Sequence, residues 1–503
     1  MTIEFTCLDK PAKRKKSDLL VLPFWKEKKG IKAAADASLM KADVAPLIES
    51  GDFKGKEGEC ALIYLKNGET ESRVVLLGLG EKEKENVEHL RRAYSAVAKL
   101  AQQKKLTAIT IVLPTNTSLK EQDVTKGVVE GLLLSNYLFT LHKNESIREK
   151  PPVLLKKVTL VGATAASKAV INDSILISDS VYHARDLINQ NADLITPQYL
   201  GKFAQQIQKD YANVKTTVFD KKRIEKEGMG LLLAVGRGSS VDPAFIIVEY
   251  KGDPKSKDHT VVVGKGVTYD TGGLNLKPTG SMETMRQDMS GAAAALCTVR
   301  AAAALKLKRN VTAVVPTTEN SISGHSFKPG DVYKSYLGKT VEIGNTDAEG
   351  RLILADALAY TVKNLKPSRI VDFATLTGAM VIALGEETTG MMSNDDKLSA
   401  DLSKAGERTF ERVWRLPLHE EYKKKLKSDV ADLNNIGGRA AGSITAALFL
   451  QEFVGETPWA HMDIAGTAFL SEGRAYLPKN ATGTGVRLMI DYRSEERRVG
   501  KEC

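Results

Sequence analysis

Apolar and polar positions along the chain switch repeatedly between two periods. Arg73–Leu79 is a β-type apolar run closed by Gly80, and Asn86–Lys104 then carries Leu90, Ala93, Ala96, Val97 and Leu100 at helical spacing. Ala108–Leu113 predicts a strand, Asp123–Leu141 a helix and Val158–Val161 a further strand. This is the rhythm of a small α/β domain, placed over residues 1–165. Ser174–Leu187 predicts a connecting helix within a linker at 166–190, and Thr196-Pro197, an N-cap followed by proline, opens a helix to about Tyr211. Strands at Ala244–Tyr250, Thr260–Gly264, Val311–Val315 and Arg369–Phe373 then alternate with helices at Ser290–Leu307, Leu352–Lys363 and Leu376–Leu384. That order implies a larger α/β domain over 191–492, its mainly parallel or mixed sheet flanked by helices, with ligands at the carboxyl ends of the strands. Residues 493–503 are dense in charge, break the pattern, and read as a frayed tail or a non-native end.

Composition narrows the class. A hydrophobic fraction of 42% with 27% charged residues describes a globular chain, and 503 residues exceed one ordinary core. No apolar run approaches the roughly 18–20 residues that cross a bilayer; Leu19–Trp25 and Ala379–Leu384 read as buried pieces of strand or helix. The basic stretch Lys10–Lys16 is followed by no apolar export segment. Cys7, Cys60, Cys297 and Cys503 lie far apart with no CxxC pair, which suits a reducing compartment, so a cytoplasmic location is expected. The seven histidines form no HExxH pair. The formal charge of +10 concentrates in part at Lys10–Lys16 and Lys423–Lys425 and reads first as a solvated face.

Three stretches carry candidate chemistry. Val261–Pro278 runs a buried strand into a glycine-flanked Lys265 and continues through Asp270, Gly272, Gly273 and Lys277; Met285–Gly291 contains Asp288; Asn345–Leu352 contains Asp347, Glu349 and Arg351. Four carboxylates at strand ends and helix starts would repel one another unless cations sat between them. Two divalent ions about 3.5–4 Å apart would relieve that repulsion and activate a shared water. Lys277 and Arg351 add positive charge where an oxyanion or an anionic helper would sit. Taken singly, Asp288 or Asp347 reads more readily as a helix cap than as a ligand. A phosphate loop and a serine nucleophile elbow are both unsupported, since neither G-x-x-x-x-G-K-[ST] nor G-x-S-x-G occurs.

Together these stretches resemble the leucyl aminopeptidase (cytosol aminopeptidase) family of bacterial type. Val263-Gly-Lys-Gly-Val-Thr-Tyr-Asp-Thr-Gly-Gly273 and Asn345-Thr-Asp-Ala-Glu-Gly-Arg-Leu352 match its signature segments. Asp372–Ala379, Ala440–Leu450 and His461–Thr467 are similar to further family segments, and the likeness spans about Ser174 to Tyr492. The resemblance implies a dimetal exopeptidase that removes N-terminal residues, leucine preferred within a broad specificity, by attack of a metal-bridging hydroxide during intracellular peptide turnover. It implies Lys265, Asp270, Asp288, Asp347 and Glu349 as ligands of two divalent ions, manganese or zinc. Lys277 would polarise the carbonyl, and Arg351 would hold a bicarbonate acting as general base. Met285, Thr375, Thr377, Gly378, Ala465 and Ala468 would form the substrate pocket. The resemblance further implies a homohexamer, a dimer of trimers, and no membrane partner. A nucleic-acid-binding role for the basic N-terminal domain is the competing expectation, and a duplex retarded in a salt-dependent way would mark it.

Overall fold

The computed structural model describes residues 3–10, 13, 15–35, 44–65, 70–143, 145 and 149–499, the last five without their side chains. Pro11, Ala12 and Arg14 of the basic stretch, and Cys503, therefore lie outside the described residues. Cys7, Cys60 and Cys297 are free thiols. Among the described residues no helix is long and apolar enough to cross a membrane. The chain divides into two compact units, residues 1–179 with 472–479, and residues 180–471 with 480–503.

The first unit is built on a seven-stranded sheet. Leu19–Glu27 lies inside it, paired in parallel with Arg73–Glu81 on one side and Ala108–Val112 on the other. Its first seven residues are all buried, the mark of a strand covered on both faces. Cys60–Tyr64 closes one edge antiparallel to Arg73–Glu81, and Glu4–Leu8 ends the other, parallel to Lys157–Val161. The helix Val87–Gln103 starts where expected because the Asn86 side chain accepts the His89 N–H at 2.9 Å. The next helix, expected to run to Leu141, spans only Glu121–Ser135. Asn136 ends it by exchanging two 3.0 Å hydrogen bonds with the main chain of Leu155, a partner 19 residues away. Leu138 and Leu141 are accordingly exposed. A wholly buried Arg91 pairs with Glu88 and Glu130, and the Tyr476 hydroxyl donates to Glu88 at 3.1 Å. Sequence periodicity marked none of that network. The connecting helix is longer than expected, Ser167–Asn189, and the division between the units falls within it.

The second unit holds a nine-stranded mixed sheet. At its centre His259–Gly264 pairs in parallel with both Asn310–Asn320 and Arg369–Ala374. Trp459–Asp463 continues the parallel set beyond Arg369–Ala374. The flanks are antiparallel: Ala244–Lys251 against Asn310–Asn320, Val214–Phe219 beyond it, and Thr389–Ser393 against Trp459–Asp463. Gly266–Asp270 resumes the central strand after a break at Lys265 and pairs along the distal part of Asn310–Asn320. The break is what aims two successive strand ends at one place.

Two helices start at that place, Ser290–Ala304 and Glu349–Tyr360, and both are nearly or wholly buried. The second begins at Glu349, three residues before the expected Leu352, and passes after Tyr360 into a wide turn, Thr361–Leu365. The last helix, Val486–Val499, takes in the first part of the expected tail. Arg493 in particular belongs to the fold: it is 1% exposed and donates to Asp258 at 2.7 Å.

Candidate metal centre

Lys265, Asp270 and Asp288 reach one cluster because each sits at a strand end or helix start. Lys265 occupies the break in the central strand, where its N–H donates to Phe373 O at 3.0 Å and its carbonyl accepts from Ala292 at 2.9 Å. Gly350 faces its stem: a Cβ there would stand 2.4 Å from Lys265 Cε. A Cβ at Gly291 would stand 1.9 Å from Phe373 O, so only glycine allows the helix start to press so close. Lys265 Nζ lies 2.8 Å from Asp288, 2.9 Å from Glu349 and 2.9 Å from Thr375 O. Lys277 Nζ lies 2.8 Å from Asp270 and 2.6 Å from Asp347. One oxygen each of Asp270, Asp347 and Glu349 falls within 4.8 Å of the others, spacing that suits a cation between them. Asp347 is the open member, its side chain 34% exposed, whereas Lys265, Asp270, Asp288 and Glu349 are buried.

Packing four acids together shifts their titration. Burial, followed by the Glu349 charge, pushes Asp270 up to about 6. Asp288 and Asp347 are also raised, with burial the largest cause in both. Glu349 goes down: burial would raise it, but Lys265 and Lys277 outweigh that. Both lysines are raised, since the surrounding carboxylates overcome a burial that would lower them.

Arg351, two residues beyond Glu349, is buried, and burial brings it down to about 10. Its Nη1 donates to Asn435 O at 2.7 Å, and its buried Nε has no hydrogen-bond partner among the described residues. Such an orphaned donor fits a small anion.

The expected pocket residues divide. Thr375 belongs to the cluster itself, its hydroxyl donating to Asp288 at 2.7 Å. Thr377 caps the helix Gly378–Leu384, and its hydroxyl is engaged by Asp463 at 2.7 Å and Ser443 at 2.6 Å. Gly378 is exposed, with open space where a Cβ would stand. Met285 and Ala465 are half-buried, and the Ala465 N–H donates to Asp463 at 3.2 Å. Ala468 is 1% exposed, its main chain bonded to Ile464 and Thr482.

Sequence reasoning passed over several residues that order this site. Asn435 grips the loop before Glu349, accepting from Gly344 at 2.8 Å and donating to Asn345 O at 2.8 Å. Asp372 accepts from the Trp459 indole at 2.7 Å and pairs with His461 Nδ1 at 2.6 Å. Burial would lower the His461 pKa, and the Asp372 carboxylate turns the shift upward. Asp372 and His461 fall within family-like segments, whereas Asn435 lies outside them and carried no signal, because every one of these bonds is long-range.

Comparison with known proteins bears on the same geometry. Residues 182–490 match the model of the cytosol aminopeptidase family, catalytic domain, and residues 21–146 match that of its N-terminal domain. The probable cytosol aminopeptidase of Protochlamydia amoebophila is 55% identical over 481 residues, covering 95% of this chain and 96% of that protein. The Chlamydia felis counterpart is 47% identical over 487 residues, with the same coverage of both chains. Among solved structures, a mutant of tomato leucine aminopeptidase superposes with a TM-score of 0.87 at 29% identity, covering 98% of this chain and 96% of that one. The bottromycin maturation enzyme BotP in complex with Mn gives 0.84 at 30% identity, covering 95% and 99%. With both domain models matched and relatives aligned along nearly its full length, this chain belongs to the cytosol aminopeptidase family.

Proposed function

We propose that this metal-dependent aminopeptidase cleaves N-terminal residues, leucine preferred among many, from peptides in the cytoplasm, as a homohexamer carrying two divalent ions per subunit. The observation that carries the reading is the convergence of Lys265, Asp270, Asp288, Asp347 and Glu349 in one cluster, in which Lys265 contacts Asp288 and Glu349 while Lys277 contacts Asp270 and Asp347. Those side chains would hold the ions, Lys265 only as the neutral amine after an ion displaces its proton, and manganese is favoured by the BotP complex at 30% identity. Zinc fits the same mixed oxygen and amine donors. When bound, the ions supply Lewis acidity to the scissile carbonyl and to the attacking water.

The chain's own residues do the rest. Lys277 is a fixed cation at neutral pH, placed beside Asp270 and Asp347 to receive charge developing on the carbonyl oxygen. Arg351 orients a small anion through its buried guanidinium, and bicarbonate there would supply a general base. The hydroxyls of Thr375 and Thr377 are engaged by carboxylates, so these residues shape the pocket and leave substrate contacts to main chain and to the open face at Gly378. Apolar walls distinguish side chains by only about 1–3 kcal/mol per methylene, so specificity is broad. The basic stretches fit a solvated face: Lys13 pairs with Asp9, and Lys423 with Glu420 and Glu452.

Chelation tests the reading. Protein stripped of metal should lose hydrolysis of a leucyl amide and regain it with manganese or zinc; undiminished turnover by stripped protein would sink it. Acidity gives a second test. A proton taken up by Asp270 near pH 6 removes an anionic donor, so Mn²⁺ affinity should fall as pH drops from 7 to 5. Each proton displaced is worth about tenfold per pH unit below that pKa. A calorimetric affinity that stays flat across that range would remove Asp270 from the donor set.

A further inference from the structure

We infer that Asn320 is a positioning residue of this centre: its side-chain amide sets which oxygen of Asp270 faces the cations and ties the Asp270 segment to the Asp347 loop. The inference rests on the metal reading above. Asn320 ends the strand Asn310–Asn320 and is 0% exposed. Its Nδ2 donates to Asp270 Oδ1 at 2.8 Å and to Thr346 O at 3.1 Å. Its main-chain carbonyl accepts from Thr271 N at 3.0 Å and Thr271 Oγ1 at 2.8 Å. Both partners of Nδ2 are acceptors, so the amide stands one way round; reversed, it would press an oxygen against two oxygens.

The consequence for Asp270 is directional. Oδ1 receives two protein donors, Asn320 Nδ2 and the Gly272 N–H at 2.9 Å, which leaves Oδ2 toward Lys277 at 2.8 Å. One oxygen is thus spent on the protein and the other presented to the cluster. For the Asp347 loop the consequence is attachment. Thr346 already donates its hydroxyl to Gly272 O at 2.6 Å and its N–H to Asn275 at 2.8 Å. Asn320 adds the link from Thr346 to Asp270 itself. Gly272 and Gly273 make room for this with φ of +86° and +65°; a Cβ on Gly273 would stand 3.0 Å from Asn320 Oδ1. An aspartate at 320 would forfeit both donated bonds and add a fifth carboxylate, which accounts for an amide among four acids.

Metal-stripped wild type, Asn320→Ala and Asn320→Ser are titrated with Mn²⁺ in a calorimeter and then assayed on a leucyl amide. Asn320→Ala should bind Mn²⁺ about 10–100-fold more weakly, the usual effect of releasing a ligand from its orienting partner. Asn320→Ser, whose hydroxyl restores one donor, should fall between. At saturating Mn²⁺ kcat should drop while KM stays within about threefold, the split expected of a residue that aims the reacting groups and leaves substrate binding alone. Should the alanine variant fail to fold, the serine variant carries the test. A variant isotherm within about twofold of wild type overturns the inference. A wild type that takes up no Mn²⁺ overturns the metal assignment beneath it, a distinct result.

Discussion

A Lys277→Met enzyme will turn over a leucyl amide about 100- to 1000-fold more slowly than its parent, the usual loss when a fixed donor to a developing oxyanion is removed. KM should move by less than about threefold, because the charge develops only in the transition state. Methionine keeps the apolar stem of lysine out to Cε and drops only the ammonium, so packing is disturbed little. The variant also separates two roles. Lys277 stands 2.8 Å from Asp270 and 2.6 Å from Asp347, so its loss leaves those carboxylates more negative, and Mn²⁺ affinity should hold or rise while the rate collapses. Joint loss of rate and metal would make Lys277 a scaffold for the ligands. A rate within tenfold of wild type would remove it from the chemistry.

The second large effect is on stability. Asp356, in the middle of the helix Glu349–Tyr360, is 0% exposed. Its carboxylate accepts from the N–H groups of Leu231 at 2.9 Å, Leu232 at 3.0 Å and Tyr336 at 2.7 Å. It therefore satisfies the first turn of the helix Gly230–Gly236, whose own cap position, Met229, offers no side-chain acceptor. Burial pushes its pKa up to about 7, against the pull of those three bonds. Asp356→Ala strands three buried donors at about 1–3 kcal/mol each, so after relaxation a loss of about 3–5 kcal/mol is expected in urea unfolding. Asp356→Asn keeps an acceptor for one side and should lose roughly half as much. An alanine variant with an unchanged midpoint would show that water reaches these groups.

Some of this was legible in the sequence for a physical reason. Buried parallel strands such as His259–Gly264 are largely apolar, and runs like its Val261–Val263 stand out. Carboxylates just past such runs, Asp270 at the end of Gly266–Asp270 and Glu349 at a helix start, stand out for the opposite reason, since nothing in a core explains them. What stayed hidden depends on partners far along the chain. Asn136 ends its helix through Leu155, and Asn320 acts through Asp270, 50 residues away. Asn435 holds a loop some 90 residues upstream, and Asp356 reaches Leu231 across 125. An amide or carboxylate looks the same in sequence whether it faces water or grips a remote main chain. The polar alternation of Val214–Phe219 hid a sheet strand for a related reason: only its ends are fully buried.

The route taken by Lys265 bears on why an amine sits among acids at all. Its stem runs past Gly350, where even a methyl group would collide, beside a helix start held against the strand by Gly291. A Cβ at 350 would stand 2.4–2.8 Å from the Lys265 Cε, Nζ and Cδ, so glycine there is what leaves room for the outer half of the stem. Aspartate or glutamate at 265 would stop one or more bonds short of the Nζ position. The lysine at 265 and the glycine at 350 therefore depend on one another: a side chain at 350 would displace the amine from its carboxylates.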